Sequence, residues 1–152
     1  MTNDKENAAR RAHKLHMKYI HEINKEAWLD NMAEDIVIQD PVGPTPINPT
    51  GTPLNKAQMA ELWDRSMKSA GDGVPAPQHQ MHTFYCCGDE VACVGRTVSM
   101  LPRKGDGKLI ECVCEGIFIY GVNEEGKLNS VKAYFDFEKV FNDIDFSLPV
   151  EQ

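Results

Sequence analysis

The chain has 152 residues and a mass of 17.1 kDa, the length of one ordinary domain built around one hydrophobic core. Its formal net charge of −7 repels polyanions, which excludes nucleic acid as an expected partner. No apolar run approaches the roughly 20 residues of a membrane helix, and none near the start resembles a signal peptide. We therefore expect a cytoplasmic protein without a membrane partner.

Helical periodicity opens the chain. From Lys5 to Ile23, apolar residues recur three or four positions apart and predict an amphipathic helix. His16 falls on its apolar side, whereas His13 lies among charged residues and is expected to be exposed. A basic cluster on the same helix is expected to be a solvated face: Arg10, Arg11, Lys14 and Lys18.

A second, short helix is predicted after the capping residue Asn24, with Trp28, Leu29 and Met32 as its apolar face. The β-branched run at 36–38 predicts a strand that closes at Asp40, because the following proline forces extended geometry on the preceding residue.

A long loop follows this strand. Residues 41–53 contain five prolines and two glycines, which exclude a helix or a central strand. Helical period returns from Lys56 to Lys68, where Met59, Leu62, Trp63 and Met67 share one side.

The second half of the chain predicts strands separated by turns. The expected strands are Gln78–Cys87, Glu90–Leu101, Lys108–Tyr120 and Lys127–Val140, with a loose tail at 141–152. Helices first (about 5–68) and a meander afterwards (about 78–140) indicate a single α+β domain, in which helices pack on one face of a curved antiparallel sheet.

The sequence favours neither a metal nor a cofactor. The five cysteines lack the spacing of a zinc site and are expected to be reduced, buried thiols. His79 and His82 lie three apart on a strand, so they point to opposite faces. The chain also lacks a phosphate-binding loop, a nucleophile elbow and a Cys-His signature, which leaves cofactor-free acid–base chemistry for an enzyme.

The segment Met32-Ala33-Glu34-Asp35-Ile36-Val37-Ile38-Gln39-Asp40-Pro41-Val42-Gly43 resembles the ketosteroid-isomerase branch of the SnoaL-like superfamily, which shares its fold with nuclear transport factor 2. The Asp-Pro-Val-Gly box after a short strand is the most specific element. Glu26-Ala27-Trp28 before the box and Gly121-Val122-Asn123-Glu124-Glu125-Gly126-Lys127-Leu128 near the last strand support the resemblance. It spans about residues 14–141.

This resemblance implies a cone closed by helices, usually a homodimer, in which the aspartate at position 40 moves a proton between two carbons of an enone. The family's tyrosine donor aligns with His16, and Tyr19 lies one turn later, so either could donate a hydrogen bond to the substrate oxygen. The family's second donor, an acid, aligns with Gly116, and a one-residue slip would be needed to align it with Glu115. Gly116 is favoured because this register turns the apolar side chains inward (Cys112, Cys114, Phe118 and Tyr120) and the acidic ones outward (Glu111 and Glu115). One of two oxyanion donors is therefore expected to be missing.

The same resemblance implies a hydrophobic small-molecule substrate in an apolar pocket. The residues expected to line it are Trp28, Met32, Met59, Trp63, Cys114, Phe118, Tyr120 and Tyr134. Outward Val113, Ile117 and Ile119 are expected to form the dimer face.

Several alternatives stay open at the level of sequence. Asp40 could be only a turn former, and His16 could be only a core histidine. Arg96 faces solvent, a subunit interface or an anionic ligand group. Three functions are consistent with the residues: an isomerase-like enzyme, a lyase or dehydratase that eliminates water or a small aldehyde such as formaldehyde from an aromatic substrate such as a lignin-type dimer, and a non-catalytic binding module.

Overall fold

The computed structural model describes residues 6–67 and 75–146. The helices are α1 (Ala8–His21), α2 (Lys25–Asp30), α3 (Lys56–Ser66) and α4 (Phe137–Phe141). The strands are β1 (Met32–Gln39), β2 (Gln78–Cys87), β3 (Glu90–Pro102), β4 (Leu109–Val122) and β5 (Leu128–Tyr134). The predicted α+β class is confirmed.

The five strands form one sheet in the order β1-β5-β4-β3-β2. The last four strands along the chain are the predicted antiparallel meander, and β1 adds to its edge by pairing with β5 in parallel. This last pairing places the end of β1, and with it the Asp-Pro box, beside Lys132 of β5.

Capping side chains set where the helices begin. The side chain of Asn7 accepts a hydrogen bond from the backbone of Arg10 at the start of α1, and Asn24 does the same for Ala27 in α2. Asn55 forms a capping box with Gln58 at the start of α3. Each cap satisfies an amide that the helix itself leaves unpaired.

The inner face of β4 carries the core of the sheet. Cys112, Cys114, Phe118 and Tyr120 are buried, and Glu111 and Glu115 are exposed. This confirms the register expected for the strand, because a slip by one residue would reverse both sets. The covering helices contribute Ala9, Ala12, Ile20, Trp28 and Trp63 to the same core.

Two predictions for the end of the chain are wrong. The last strand stops at Tyr134 instead of Val140, because Asp136 caps the short helix α4 by accepting a hydrogen bond from the backbone of Lys139. Residues 141–146 are not a loose tail, since Ile144 is buried and bridges to Arg103. Residues 147–152 lie outside the described part.

Smaller differences concern the first half of the chain. Met32 begins β1 and does not belong to α2. The predicted starts and ends at Lys5 and Lys68 lie outside the described residues. Among the helices that are described, none is long and apolar enough to cross a membrane.

Candidate functional site

Asp40 directly follows β1, at the carboxyl end of a strand whose Ile36 and Ile38 are buried in the core. Asp40 is exposed to solvent, yet protein atoms surround its carboxyl group on most sides. Burial raises the pKa of Asp40 from 3.8 to about 6, and no cation or hydrogen bond from the described residues offsets this effect.

The charge of Asp40 acts on two side chains of the sheet. Tyr120 and Cys114 point inward from β4 and are almost completely buried. Burial, and secondarily the Asp40 carboxylate, raises the pKa of the Tyr120 hydroxyl far above its usual value and that of the Cys114 thiol to about 11. Both groups therefore stay protonated beside the carboxylate at neutral pH.

Three histidines form a cluster, and two of their rings contact Tyr120. The rings of His13 and His16, both on α1, have centroids 4.5 Å and 5.7 Å from the Tyr120 ring. His79 on β2 lies 5.9 Å from His13 and 6.3 Å from His16. The prediction that His13 is exposed is wrong, since its side chain is buried.

These three imidazoles are neutral at physiological pH. Burial lowers the pKa of His13 to about 2, of His16 to about 3 and of His79 to about 4, and repulsion between the rings adds to the effect for the first two. A neutral imidazole has one N–H donor, so each ring can donate one hydrogen bond without introducing a charge.

A contact with Arg10 fixes the tautomer of His13. The Nη1 atom of Arg10 lies 3.0 Å from Nδ1 of His13. Because a guanidinium only donates, Nδ1 must accept, and the proton of the neutral ring resides on Nε2. Nε2 is buried and has no partner among the described residues, so His13 presents an unused donor to the interior.

Unpartnered ring nitrogens concentrate at this place. Besides Nε2 of His13, the buried nitrogens without a hydrogen bond are Nδ1 of His16, Nδ1 of His79 and Nε1 of Trp28. Trp28 packs against His16 and Trp63, with centroid distances of 5.8 Å and 4.7 Å. Buried polar atoms are normally satisfied. A cluster of four exceptions around one spot indicates a site that receives a polar ligand group.

Gly116 occupies a position that cannot hold a side chain. A Cβ atom there would lie 2.0 Å from the carbonyl oxygen of Tyr134. Its cross-strand partner is Gly95, where a Cβ would lie 2.4 Å from the carbonyl oxygen of Gln80. The backbone itself therefore excludes an acidic donor at the place where the resemblance locates one.

The structure brings most of the predicted site residues to the interior. Trp28, Met32, Trp63, Cys114, Phe118 and Tyr120 are buried, and Met59 and Tyr19 are half-buried against the core. Of the two candidate donors on α1, His16 is the one in ring contact with Tyr120.

Tyr134 does not line the interior. It pairs with Ile117 across β4 and β5, and both side chains are exposed on the outer face of the sheet. Arg96 also faces outward, where it donates to Oε1 of Gln80 at 2.6 Å.

Sequence reasoning missed His13 and His79 as members of one cluster. The buried stripe of α1 is Ala9, Ala12, His13, His16 and Ile20, whose spacing of three, one, three and four residues is itself a helical signal. For His79, the sequence signal was the alternation along β2, which places its side chain on the inward face. No group of three or more His, Cys, Asp or Glu side chains in the described residues is arranged to hold a metal ion.

Comparison with solved structures gives extensive matches. The Δ5-3-ketosteroid isomerase of Mycobacterium sp. superposes with a TM-score of 0.72 at 23% identity, covering 88% of this chain and 96% of that chain. The chain has the fold of the ketosteroid isomerases and SnoaL-like proteins. No family model matches the sequence, and the comparison with curated proteins gave no significant relative.

Two further structures share this fold. A Mycobacterium tuberculosis protein solved in complex with estradiol-17beta-hemisuccinate has a TM-score of 0.70 at 22% identity, covering 88% of this chain and 97% of that chain. A Shewanella denitrificans protein that is described as a SnoaL-like polyketide cyclase has a TM-score of 0.66 at 14% identity, covering 88% of this chain and 93% of that chain. The same fold thus occurs in proteins described as isomerases, cyclases and steroid binders.

Proposed function

We propose that the protein is a cofactor-free acid–base enzyme that acts on a hydrophobic polycyclic or aromatic small molecule, with Asp40 as its general base. The observation that carries the proposal is a carboxylate that solvent can reach but whose pKa is raised to about 6. Such a group is mostly ionised at neutral pH and is a stronger base than an ordinary carboxylate, which suits proton abstraction.

The reaction that fits these residues is a proton transfer next to a carbonyl group. Asp40 removes the proton from carbon, the electron pair moves toward the carbonyl oxygen, and the protonated Asp40 returns the proton to another carbon of the conjugated system. Nothing is oxidised or reduced. The product is an isomer in which the double bond has moved.

The developing negative charge on oxygen needs hydrogen-bond donors. The neutral ring of His16 and the hydroxyl of Tyr120, which stays protonated, are the donors we assign to it. A neutral imidazole is known to serve as an electrophile of this kind in proton-transfer enzymes. Tyr19 is assigned a packing role instead, since it lies against the core.

The comparisons support the substrate class. One neighbour is a ketosteroid isomerase, and another was solved with a steroid ester. The interior of this chain is aromatic, with Trp28, Trp63 and Phe118, and would offer apolar surface to a polycyclic ligand.

A second candidate function, elimination by a lyase or dehydratase, is favoured by Gly116. Without an acid at this position, isomerisation depends on Tyr120 to take the place of the second donor, and losing one such donor typically costs about 10²–10³ in rate. Elimination needs a base and a group near the leaving oxygen, and Asp40 with the histidine cluster supplies both kinds of group.

The test is turnover of a 5-ene-3-ketosteroid, followed at the ultraviolet absorbance of the conjugated product, for wild type, Asp40→Asn and Asp35→Asn. Asp35 is exposed on the same strand and serves as the matched control. We expect turnover that Asp40→Asn abolishes and Asp35→Asn retains. Absence of turnover by the wild type would reject the isomerase. If the wild type then does not bind the steroid either, the search moves to aromatic lyase substrates, whereas steroid binding without turnover would favour a binding module.

The outer face of the sheet supports the expected homodimer. Ile117 and Tyr134 lie there side by side and are 44% and 45% exposed, so they present adjoining apolar surface. Sedimentation of the wild type is expected to give a dimer that Ile117→Lys dissociates. A wild-type monomer would contradict this assignment.

A further inference from the structure

A cavity lies between α1 and β2, and Asp40 is not among its lining residues. Its volume is about 600 Å³. Helix α1 contributes the long basic side chains of Arg10, Lys14 and Lys18, and the apolar part of the wall is Met17, Met81 and Phe84. His21 and Glu22 also line it, so the cavity combines a rim of three cations and one carboxylate with an apolar wall, in a chain whose net charge is −7.

Arg10 is the distinctive cation of this cavity. Its guanidinium lies 3.6 Å above the ring of Phe84, and its other described contact is the neutral ring of His13. Neither partner carries a negative charge. By contrast, Lys14 pairs with Glu6, and Lys18 lies 3.9 Å from Glu22. The prediction that Arg10 belongs to a solvated face is therefore wrong, since the structure folds it over the cavity wall.

Two of the histidines that line the same cavity carry a ring nitrogen without a hydrogen-bond partner among the described residues. His13 and His79 both contribute to its lining. The contact with Arg10 leaves the His13 proton on Nε2, and this buried atom has no partner in the described residues. Nδ1 of His79 is likewise buried without a partner. The guanidinium of Arg10 meets no carboxylate in its described contacts, and its N–H groups call for a ligand that supplies oxygen acceptors and negative charge.

We propose that the cavity between α1 and β2 binds the carboxylate end of an otherwise apolar or aromatic ligand, with Arg10 as its anchor. A planar guanidinium stacked on an aromatic ring still has free N–H groups at its edge, which match a carboxylate in geometry. Met17, Met81 and Phe84 then contact the apolar part of the ligand.

This cavity is connected to the proposed reaction site by direct ring contacts. His13 touches Tyr120, which in turn feels the charge of Asp40. If the proposed function is right, its substrates are then polycyclic or aromatic acids, and this part of the inference rests on that function. Binding of the carboxylate itself does not depend on any turnover.

The experiment compares two ligands with the same ring system, 2-naphthoate and 2-naphthalenemethanol, by titration calorimetry with the full-length protein. The variants are Arg10→Met, which keeps an apolar stem, and Arg11→Met, which removes the same charge from an exposed neighbour on α1 that does not line the cavity. We expect Arg10→Met to weaken naphthoate binding about 10-fold to 100-fold, and to change naphthalenemethanol binding by less than about 2-fold. Arg11→Met should leave both affinities unchanged.

The proposal is overturned if wild type binds naphthoate no more tightly than naphthalenemethanol, or if the two arginine variants weaken naphthoate equally. Should Arg10→Met fail to fold, amide chemical-shift mapping on wild type decides. Naphthoate must then perturb Met17 and Met81, and shifts confined to the strand before Asp40 would refute the assignment. Naphthoate binding is measured without any turnover, so failure of the proposed catalysis and failure of this site are distinguishable.

Discussion

Replacing Asp40 by asparagine is expected to stabilise the protein at neutral pH. The pKa of Asp40 in the folded chain, about 6, lies above its ordinary value of 3.8. The folded state therefore holds this proton more tightly than the unfolded state, and its stability falls as the pH rises from about 4 to above 6. Above that window the folded protein carries the full cost of an ionised carboxylate in its cavity, which asparagine does not have.

The size of this effect follows from the pKa difference. At full strength such a difference corresponds to about 3 kcal/mol. Because solvent reaches the Asp40 side chain, screening reduces the expected gain in unfolding free energy to about 1 kcal/mol. For a domain of this length, that gain raises the melting temperature by about 2–4 °C. An active-site group that lowers stability is a common trade-off between stability and function.

The assay is thermal unfolding of wild type, Asp40→Asn and Asp35→Asn at pH 7.5 and at pH 4. The stabilisation by Asp40→Asn should be present at pH 7.5 and should shrink at pH 4, where the carboxyl group is protonated in the folded state. Asp35→Asn, on the exposed side of the same strand, should show no such dependence. If Asp40→Asn is neutral or destabilising at pH 7.5, the carboxylate is not desolvated and our reasoning fails.

Three further predictions concern the surrounding residues. Arg10→Met should release the tautomer of His13, seen as a change in the ¹⁵N shifts of its ring nitrogens; unchanged shifts would show that Arg10 does not fix the proton. Gly116→Ala should lower the unfolding free energy by at least about 2 kcal/mol, because its Cβ would lie 2.0 Å from a backbone oxygen of β5, whereas Gly121→Ala on the same strand, with contacts of 3.4 Å, should cost less; equal losses would refute this. Cys87 is exposed and should react with a thiol reagent in the folded protein, while the three buried thiols should react only on unfolding.

The sequence predicts the strands of the meander well because each carries its own local signal. Alternation along β4 distinguishes Phe118 and Tyr120, which are buried, from Glu111 and Glu115, which are exposed, and the Gly88 turn separates β2 from β3. The parallel pairing of β1 with β5 has no such signal. Its partners, such as Ile38 and Val131, lie far apart in the chain and meet only through tertiary packing.

The helix α4 shows how short apolar runs mislead. Phe137, Val140 and Phe141 fit either a strand or a helix, and Asp136 decides the outcome by capping the first turn. Sequence reasoning extended β5 through this segment because it gave the apolar run more weight than the cap.

The candidate site was predictable in part. Asp40 and His16 followed from the Asp-Pro box and from helical spacing, because both depend on position along one element. The cluster with His13 and His79 depends on how α1 rolls on the sheet and on the contact between Arg10 and His13. If α1 were rotated about its axis by one residue position, a buried histidine would become exposed. The periodicity of the apolar residues alone does not fix this rotation.

The central claim is that Asp40 is a desolvated carboxylate poised to act as a base, and direct titration tests it best. The side-chain carboxyl carbons of ¹³C-labelled protein are followed by NMR from pH 3 to pH 9, with Asp40→Asn to identify the resonance. We predict a midpoint at about 6 for Asp40. A midpoint near 3.8, the value of an ordinary aspartate, would contradict the assignment of Asp40 as the catalytic base.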